Sequence, residues 1–219
     1  ETDVAVAEAF KITVEELKSK IDAAKVKLMQ VRNSRIKPGL DDKILSSWNA
    51  LMITGYAKAY RVFGEEAFLN AAVTNANFLL KKAIAADGEM TRNYKNGRSS
   101  INALLDDYAF TIAAFIELYQ ATFDEKWLTE ANKITSYTLE HFFDASSGMF
   151  FYTHNQYADL IARKMELSDN VIPSSNSEMA KNLFLLGHFL NKDEYISKAK
   201  QMLINVEADV QRNIYFYAN

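Results

Sequence analysis

The chain has 219 residues, a formal net charge of -3 and no cysteine. The net negative charge argues against a nucleic-acid surface, which needs a concentrated positive field to displace counterions from phosphates. Without cysteine there are no disulfides, thiolate nucleophiles or cysteine-ligated metals. No apolar run approaches the roughly 20 residues that span a bilayer, and the start of the chain lacks the pattern of a signal peptide. We therefore expect one soluble, cytoplasmic domain over residues 1–219 that binds neither nucleic acid nor membrane.

Helix signals dominate the chain from its beginning. Only 7 glycines and 2 prolines occur, and apolar residues recur at helical spacing, which predicts an all-α fold. Thr13 and Glu16 have the spacing of a capping box, so a helix is predicted from there to about Arg32. Pro38 then forces a turn, and a second helix is predicted to begin near Asp42.

Three stretches, residues 60–72, 119–131 and 188–199, resemble one another. Each has the pattern of a helix end, a tight acidic turn and a new helix. An aromatic residue falls at one matching position and an alanine at another, and the small alanine permits close helix approach. This internal repeat predicts consecutive helical hairpins. The matched residues are Phe68, Trp127 and Tyr195, followed by Ala72, Ala131 and Ala199.

The two helices of each predicted hairpin differ in character. The leading helix is apolar around most of its circumference and the trailing helix is amphipathic, so leading helices are predicted to be inner and trailing helices outer. Such hairpins build an open solenoid or a closed α/α toroid, and about seven helices are too few to close a ring of about twelve. The predicted pairs are 43–63 with 66–83, 104–122 with 125–142, and 176–190 with 193–208.

Polar side chains gather at the predicted starts of the inner helices. A polar stripe on a buried helix needs partners or a ligand. Helix capping is the simpler alternative for any one of these residues, because acids and hydroxyls favour the positive end of the helix dipole. Paired acids on two parallel helices exceed what capping requires. The residues are Asp42, Ser46 and Asn49 for the first inner helix, Asp106 and Asp107 for the second, and Ser175 and Glu178, in a capping-box pattern, for the third.

Two long polar connections, residues 87–103 and 144–173, are predicted at the same end of the helices, and long loops of this kind are usually functional. Their cationic side chains either hold an anionic or polyhydroxy ligand or pair with nearby acids. The histidines show no metal-ligand spacing, and no nucleotide or serine-hydrolase motif occurs, so neither a metal nor a cofactor is expected. The residues in question are Arg92, Arg98, Arg163 and Lys164, and His141, His154 and His188.

Carboxylates at the mouth of such a helical array are what a glycosidase needs: one proton donor, and one base or nucleophile. We predict Asp42 or Asp107 as the acid or base. Exposed aromatic rings, including Tyr152 in a loop, offer flat faces for sugars, although core packing is the alternative for Trp48. The predicted ligand contacts are Asp41, Trp48, Asn49, Tyr108, Arg163, Asp169 and Asn176.

Several motifs carry a resemblance to a known family. The segment Lys37–Asn49 (KPGLDDKILSSWN), the DYAF motif from Asp107 and residues 169–177 closely resemble the thioredoxin-domain-containing proteins related to spermatogenesis-associated protein 20. The resemblance covers nearly the whole chain. It implies part of an (α/α)6 toroid of the six-hairpin glycosidase and N-acylglucosamine 2-epimerase type, without the thioredoxin-like part. It implies no secure activity, and none of the three histidines matches an epimerase pair.

Two functions remain open at this stage. The first is a carbohydrate-binding or carbohydrate-processing domain with its site at the starts of the inner helices. The second is a non-catalytic scaffold that docks a protein partner or a thioredoxin-like domain through the same face. A structural fragment with exposed inner apolar surface is a further alternative.

Overall fold

The computed structural model describes residues 2–156 and 162–217 and divides the chain into two compact units, Glu1–Asp42 and Lys43–Asn219. The first unit contains the helices α1 (Asp3–Ala9) and α2 (Val14–Ser34), followed by an extended segment. The predicted capping box begins α2: the Glu16 N–H donates to Thr13 Oγ1 at 3.1 Å, and the Thr13 N–H donates to Glu16 Oε2 at 3.0 Å. Helix α1 has no counterpart among the predicted elements.

The second unit consists of three antiparallel helical hairpins, which confirms the all-α prediction. Each hairpin pairs an inner helix with an outer helix through a short turn. The predicted bounds of the pairs agree with the structure to within a few residues. The helices are α3 (Ser46–Phe63) with α4 (Glu66–Lys82), α5 (Leu105–Thr122) with α6 (Glu125–His141), and α7 (Ser175–Leu190) with α8 (Asp193–Arg212).

The inner and outer helices differ in burial as predicted. On α5, 13 of 18 residues are buried, whereas on α6 only 6 of 17 are. The three alanines matched by the repeat, Ala72, Ala131 and Ala199, are 0–1% exposed. Their size permits close approach of the outer helices to the core, so the repeat in the sequence corresponds to a repeat in packing.

The start of the first inner helix differs from the prediction. Ile44 and Leu45 form a short strand, β1, that pairs antiparallel with Tyr94 and Asn93, and α3 begins only at Ser46. Leu45 has the extended backbone of an N-cap, with φ of -92° and ψ of 134°, so the helix does not reach back past it. The prediction that Asp42 shares a helical face with Ser46 and Asn49 is therefore wrong.

The long connections are also more regular than expected, because each contains a β-hairpin. The first holds β2 (Thr91–Lys95) and β3 (Arg98–Asn102), and the second holds β4 (Phe143–Asp144) and β5 (Met149–Phe150). Asn96 at the β2–β3 turn has φ of +51° and Gly97 has φ of +80°, as a two-residue type I′ hairpin requires. A 3₁₀ turn, Ile214–Tyr217, follows α8.

Within the described residues, no helix combines the length and apolar character that a membrane crossing requires. The described core of the second unit is continuous from Ala50 to Met202 and includes the fully buried rings of Trp127, Tyr108 and Phe115. This core fixes the inner helices in parallel, with their N-terminal ends beside the two β-hairpins.

Candidate functional site

An arginine on the β2 strand clamps two adjacent aspartates at the start of α5. Arg92 Nη1 donates to Asp106 Oδ1 at 2.9 Å and to Asp107 Oδ2 at 2.8 Å. The three side chains come from a hairpin and a helix that are separate in the sequence. The structure thereby brings together two carboxylates and one guanidinium at the mouth of the inner helices.

Asp107 is the buried member of this cluster. Its Oδ1 accepts the Ser47 N–H at 3.0 Å, and its Oδ2 accepts the Leu104 N–H at 3.1 Å. Burial, and then the charge of Asp106, outweigh Arg92 and the two N–H donors and raise the pKa of Asp107 to about 6. Burial alone would lower the pKa of Arg92, but the two aspartates reverse this and raise it. Asp107 therefore ties α3, α5 and β2 together.

Asp106 is the member that reaches the surface, with 13% of its side chain exposed. The hydroxyl of Tyr152 lies beside it, and the charges of Arg92 and Glu166 also affect the pKa of this hydroxyl. Burial, and then the charge of Asp106, raise the pKa of Tyr152, and its hydroxyl is hydrogen-bonded to Asp106. The backbone of Tyr152 is fixed on both sides: its N–H donates to the Lys164 carbonyl at 2.7 Å, and its carbonyl accepts the Leu105 N–H at 3.0 Å.

A third carboxylate lies at the start of α7. Glu166 Oε2 accepts the N–H of Ser175 at 3.0 Å and its hydroxyl at 2.6 Å. Ser174 is the N-cap, and its Oγ accepts the Ser177 N–H at 3.1 Å. The predicted capping box of Ser175 with Glu178 is therefore wrong, because Ser175 is already helical and its hydroxyl is bound by Glu166.

The β-strand facing Arg92 is strained. The register pairs Thr91 with Asn102 and Asn93 with Ser100, which sets Ile101 opposite Arg92. Ile101 has φ of +62°, a left-handed conformation that costs a β-branched residue on the order of 1–3 kcal/mol. Such strain concentrates at functional sites.

Three of the predicted ligand contacts are buried and have partners within the protein. The Tyr108 hydroxyl accepts the Met90 N–H at 3.0 Å, and Asp169 Oδ1 accepts the Ser174 N–H at 2.8 Å. Asn176 binds both backbone groups of Phe150 at 2.9 Å. These contacts hold Met90 before β2, the second β-hairpin and the loop before α7 in place.

Arg163 is also engaged within the protein. Its guanidinium stacks 4.1 Å from the ring centroid of Phe151. Its Nε donates to the Thr153 carbonyl at 3.2 Å, and its Nη2 donates to the His141 carbonyl at the end of α6 at 3.5 Å.

The remaining predicted contacts are more exposed. Trp48 is 70% exposed, so core packing, the alternative considered for it, is wrong. Asn49 donates to the Leu45 carbonyl at 2.8 Å and accepts the Asn75 amide at 3.0 Å. Asp41 and Asp42 are exposed and lie at the end of the first unit.

Sequence reasoning missed a histidine pair. The rings of His141 and His154 stack with centroids 4.4 Å apart, and His154 Nε2 lies 3.1 Å from the Tyr137 hydroxyl. The Gln156 N–H donates to His154 Nδ1, so the neutral ring carries its proton on Nε2. Burial, and then His141, lower the pKa of His154 to about 4. Among the described residues, no group of three or more histidine or acidic side chains is placed to hold a metal.

Comparison with known proteins gives one family match and several relatives. Residues 81–186 match the model of glycosyl hydrolase family 76. An uncharacterized Caenorhabditis elegans protein is 33% identical over 91% of this chain and 28% of its own length. Human spermatogenesis-associated protein 20 is 30% identical over 90% of this chain and 26% of its own length. The chain thus spans about a quarter of the length of the curated relatives it matches.

Solved structures share the fold at low sequence identity. The GH76 alpha-mannanase of Bacteroides thetaiotaomicron has a TM-score of 0.59 and 18% identity, covering 78% of this chain and 47% of its own. The cellobiose 2-epimerase of Bacillus thermoamylovorans has a TM-score of 0.63 and 14% identity, covering 77% of this chain and 46% of its own. An inactive alpha-1,6-mannanase variant of a Salegentibacter species has two adjacent aspartates replaced by asparagine. Its TM-score is 0.61 and its identity 12%, covering 83% of this chain and 51% of its own. The chain is similar in sequence to spermatogenesis-associated protein 20 over nine tenths of its length and has the fold of part of a six-hairpin toroid.

Proposed function

We propose that this chain binds or processes a carbohydrate at a carboxylate-lined site at the N-terminal ends of its inner helices. The observation that carries the proposal is the pair Asp106 and Asp107, clamped by Arg92 at the start of α5. One carboxyl is buried and has its pKa raised to about 6, and the other is partly exposed beside Tyr152. Neighbouring carboxyls in unlike environments are the arrangement from which acid and base roles arise.

The comparisons support a carbohydrate ligand. The family match and the structures with the same fold belong to enzymes that act on sugars. In the Salegentibacter mannanase, the variant lacking two adjacent aspartates is inactive. Adjacent aspartates also stand at the first turn of α5 in this chain, which supports a pair of this kind for its chemistry.

In this proposal the two aspartates have different tasks. Asp106 meets the ligand because it is the carboxyl with an exposed surface. Asp107 holds Asp106 and Arg92 in place and is the carboxyl from which a proton is lost near neutral pH. Asp42, on the first unit, is a second candidate for the acid or base, and the exposed ring of Trp48 is a stacking surface for a sugar.

The proposal is tested by thermal shift in the longest natural protein that contains this chain. The ligands are mono- and oligosaccharides, including α-1,6-mannotriose, and the variants are Asp106→Asn and Asp42→Asn. A ligand at about ten times its dissociation constant should stabilise the protein by about 1.4 kcal/mol, a shift of a few degrees. Asp106→Asn should abolish this shift.

The control for this experiment is Glu207→Gln, which removes one exposed carboxylate from the outer helix α8. It should leave the shift unchanged. Sugar stabilisation that survives in both Asp106→Asn and Asp42→Asn would contradict the proposed site.

A non-catalytic scaffold is the second candidate, favoured by a different observation. A groove of about 440 Å³ between α7 and α8 is lined mainly by apolar side chains. Phe184 and Leu203 in this groove are 43% and 62% exposed. A partner protein or a thioredoxin-like domain would cover such a surface. This candidate predicts that no sugar stabilises the protein and that Phe184→Ser weakens binding of the partner.

A further inference from the structure

The groups that would bind an anion at the candidate site are already occupied by the protein's own carboxylates. Free N–H groups at helix N-termini attract anions. At the starts of α3 and α5, the N–H groups of Ser47 and Leu104 both donate to Asp107. At the start of α7, the N–H and hydroxyl of Ser175 donate to Glu166. An incoming anionic group would have to compete with a carboxylate for each of these donors.

The formal charges around the Tyr152 hydroxyl are also unfavourable to an anion. Asp106, Asp107 and Glu166 contribute three negative charges and Arg92 one positive charge. Adding about half a positive charge for each of the three helix ends, those of α3, α5 and α7, leaves a local sum of about -0.5, which is still negative. Arg92 Nη1 is shared between both aspartates, so much of its charge is already neutralised.

An uncharged polar group has a better match at the same place. Ser47, at the start of α3, is 1% exposed, and within the described part of the chain its hydroxyl has no hydrogen-bond partner. Its own N–H donates to Asp107, so Ser47 lies next to the aspartate pair. Buried hydroxyls are normally satisfied, and a neutral hydroxyl can both donate and accept, whereas an ionised carboxylate only accepts.

We propose that the site selects uncharged sugars and rejects sugars that carry a carboxylate or a phosphate. This inference rests on the proposed carbohydrate function and adds the charge class of the ligand. The selectivity comes from the carboxylates that fill the helix ends, above all from Glu166 as the exposed member. It is a property of the electrostatic field at the mouth, so it should be sensitive to salt.

The test compares neutral sugars with anionic sugars of the same ring configuration, using saturation-transfer NMR on the longest natural protein that contains this chain. The pairs are glucose with glucuronate, mannose with mannuronate, and mannose with mannose 6-phosphate. At low ionic strength, each anionic sugar should bind at least about tenfold more weakly than its neutral partner. At about 0.5 M salt this difference should shrink severalfold.

Two charge-matched variants complete the experiment. Glu166→Gln keeps an oxygen that accepts from Ser175 but removes the charge, and it should reduce the discrimination severalfold. Glu207→Gln on α8 removes the same charge from the outer surface and should leave the discrimination unchanged. Equal binding of neutral and anionic sugars, or full discrimination in Glu166→Gln, overturns the inference while leaving the carbohydrate function intact. If no sugar of either charge binds, both the function and the inference are wrong.

Discussion

Asp107 combines a structural and an electrostatic task in one side chain. It accepts hydrogen bonds from Ser47, Leu104 and Arg92, which belong to three separate segments. The same burial that makes these bonds strong also raises its pKa. Its neighbour Asp106 is paired with Arg92 but remains partly exposed. Two adjacent identical residues thus have unlike surroundings, and their substitution should have unlike effects.

We expect Asp107→Asn to destabilise the fold by about 3 kcal/mol and Asp106→Asn by about 1 kcal/mol. In the first variant, one carboxylate oxygen becomes an NH₂ group that must face the donors of Ser47 or of Leu104 and Arg92. Urea denaturation of both variants measures the difference. Equal losses would mean that the three-way contact of Asp107 does not hold the inner helices together.

His154 gives the clearest expectation for pH dependence. Because its pKa is lowered to about 4 in the folded chain, it contributes stability above its unfolded pKa of about 6.5, and this contribution is lost as the pH falls through 4. The free energy of unfolding falls as the pH drops from 6.5 to 4, and part of this fall comes from the His154 ring. In His154→Gln that part, on the order of 1 kcal/mol, should disappear.

The free energy of unfolding as a function of pH measures this effect. His188, near the end of α7 and in edge contact with Phe184, offers a matched histidine, and His188→Gln is the control. If His154→Gln loses as much stability between pH 6.5 and 4 as the unmodified protein, His154 is not a source of that loss. Asp107 acts in the opposite sense. Because its pKa is raised, it contributes stability at a pH below the ordinary pKa of an aspartate, and this contribution is lost as the pH rises through about 6.

Sequence reasoning reached only part of this site. It found Asp107 because paired acids at a helix start exceed what capping needs. It assigned no partner to Arg92, because the contact depends on the β2–β3 hairpin, whose short polar strands resemble a loop. Tyr108, Asp169 and Asn176 have partners within the protein that their sequence pattern does not reveal, because a polar residue that holds a loop in place has the same pattern as one that holds a ligand.

At the scale of elements, the helical hairpins were predictable and their connections were not. The boundaries of α4, α6 and α8 follow from acidic turns and an aromatic-alanine repeat, which are local signals. The start of α3 does not, since Ile44 and Leu45 join a strand about fifty residues away. A strand of two residues is too short to show a recognisable sequence pattern, so the helical pattern of the residues that follow dominates the prediction.

The contact between the last turn of α7 and the start of α8 offers a test of hairpin packing. A Cβ added at Gly187 would lie 2.5 Å from Ile196 Cγ1 and 3.1 Å from backbone atoms of Ile196 and Lys192. Gly187→Ala should therefore destabilise the fold by about 1–3 kcal/mol. Gly55→Ala on α3, where the added Cβ meets nothing within 4 Å, should stabilise it by about 0.5–1 kcal/mol.

Thermal or urea unfolding of the two glycine variants measures these effects. Both substitutions add one methyl group to a helix and differ only in what that group meets. A loss in Gly55→Ala equal to that in Gly187→Ala would show that helix packing at the α7–α8 turn is not what distinguishes them.

At the scale of the whole molecule, the described core belongs entirely to the second unit. Its three hairpins correspond to 40–51% of the length of the toroids that it resembles, including the epimerases. The (α/α)6 assignment was accessible from sequence only through family resemblance, because hairpin periodicity alone fits an open solenoid equally well. The alternation of buried inner and amphipathic outer helices, by contrast, followed directly from composition along the chain.

The β2–β3 hairpin also makes the protein convenient to observe by spectroscopy. Its tight turn projects Arg98 to the exposed side, six residues from Arg92 along the chain. Since these 219 residues contain no cysteine, a single Arg98→Cys substitution creates the one attachment point within them for a fluorophore or a spin label. The dye would stand on the hairpin that carries Arg92, at its turn and outside the helical core. Its emission could therefore report on occupancy of the site in real time, with no need to know the reaction beforehand.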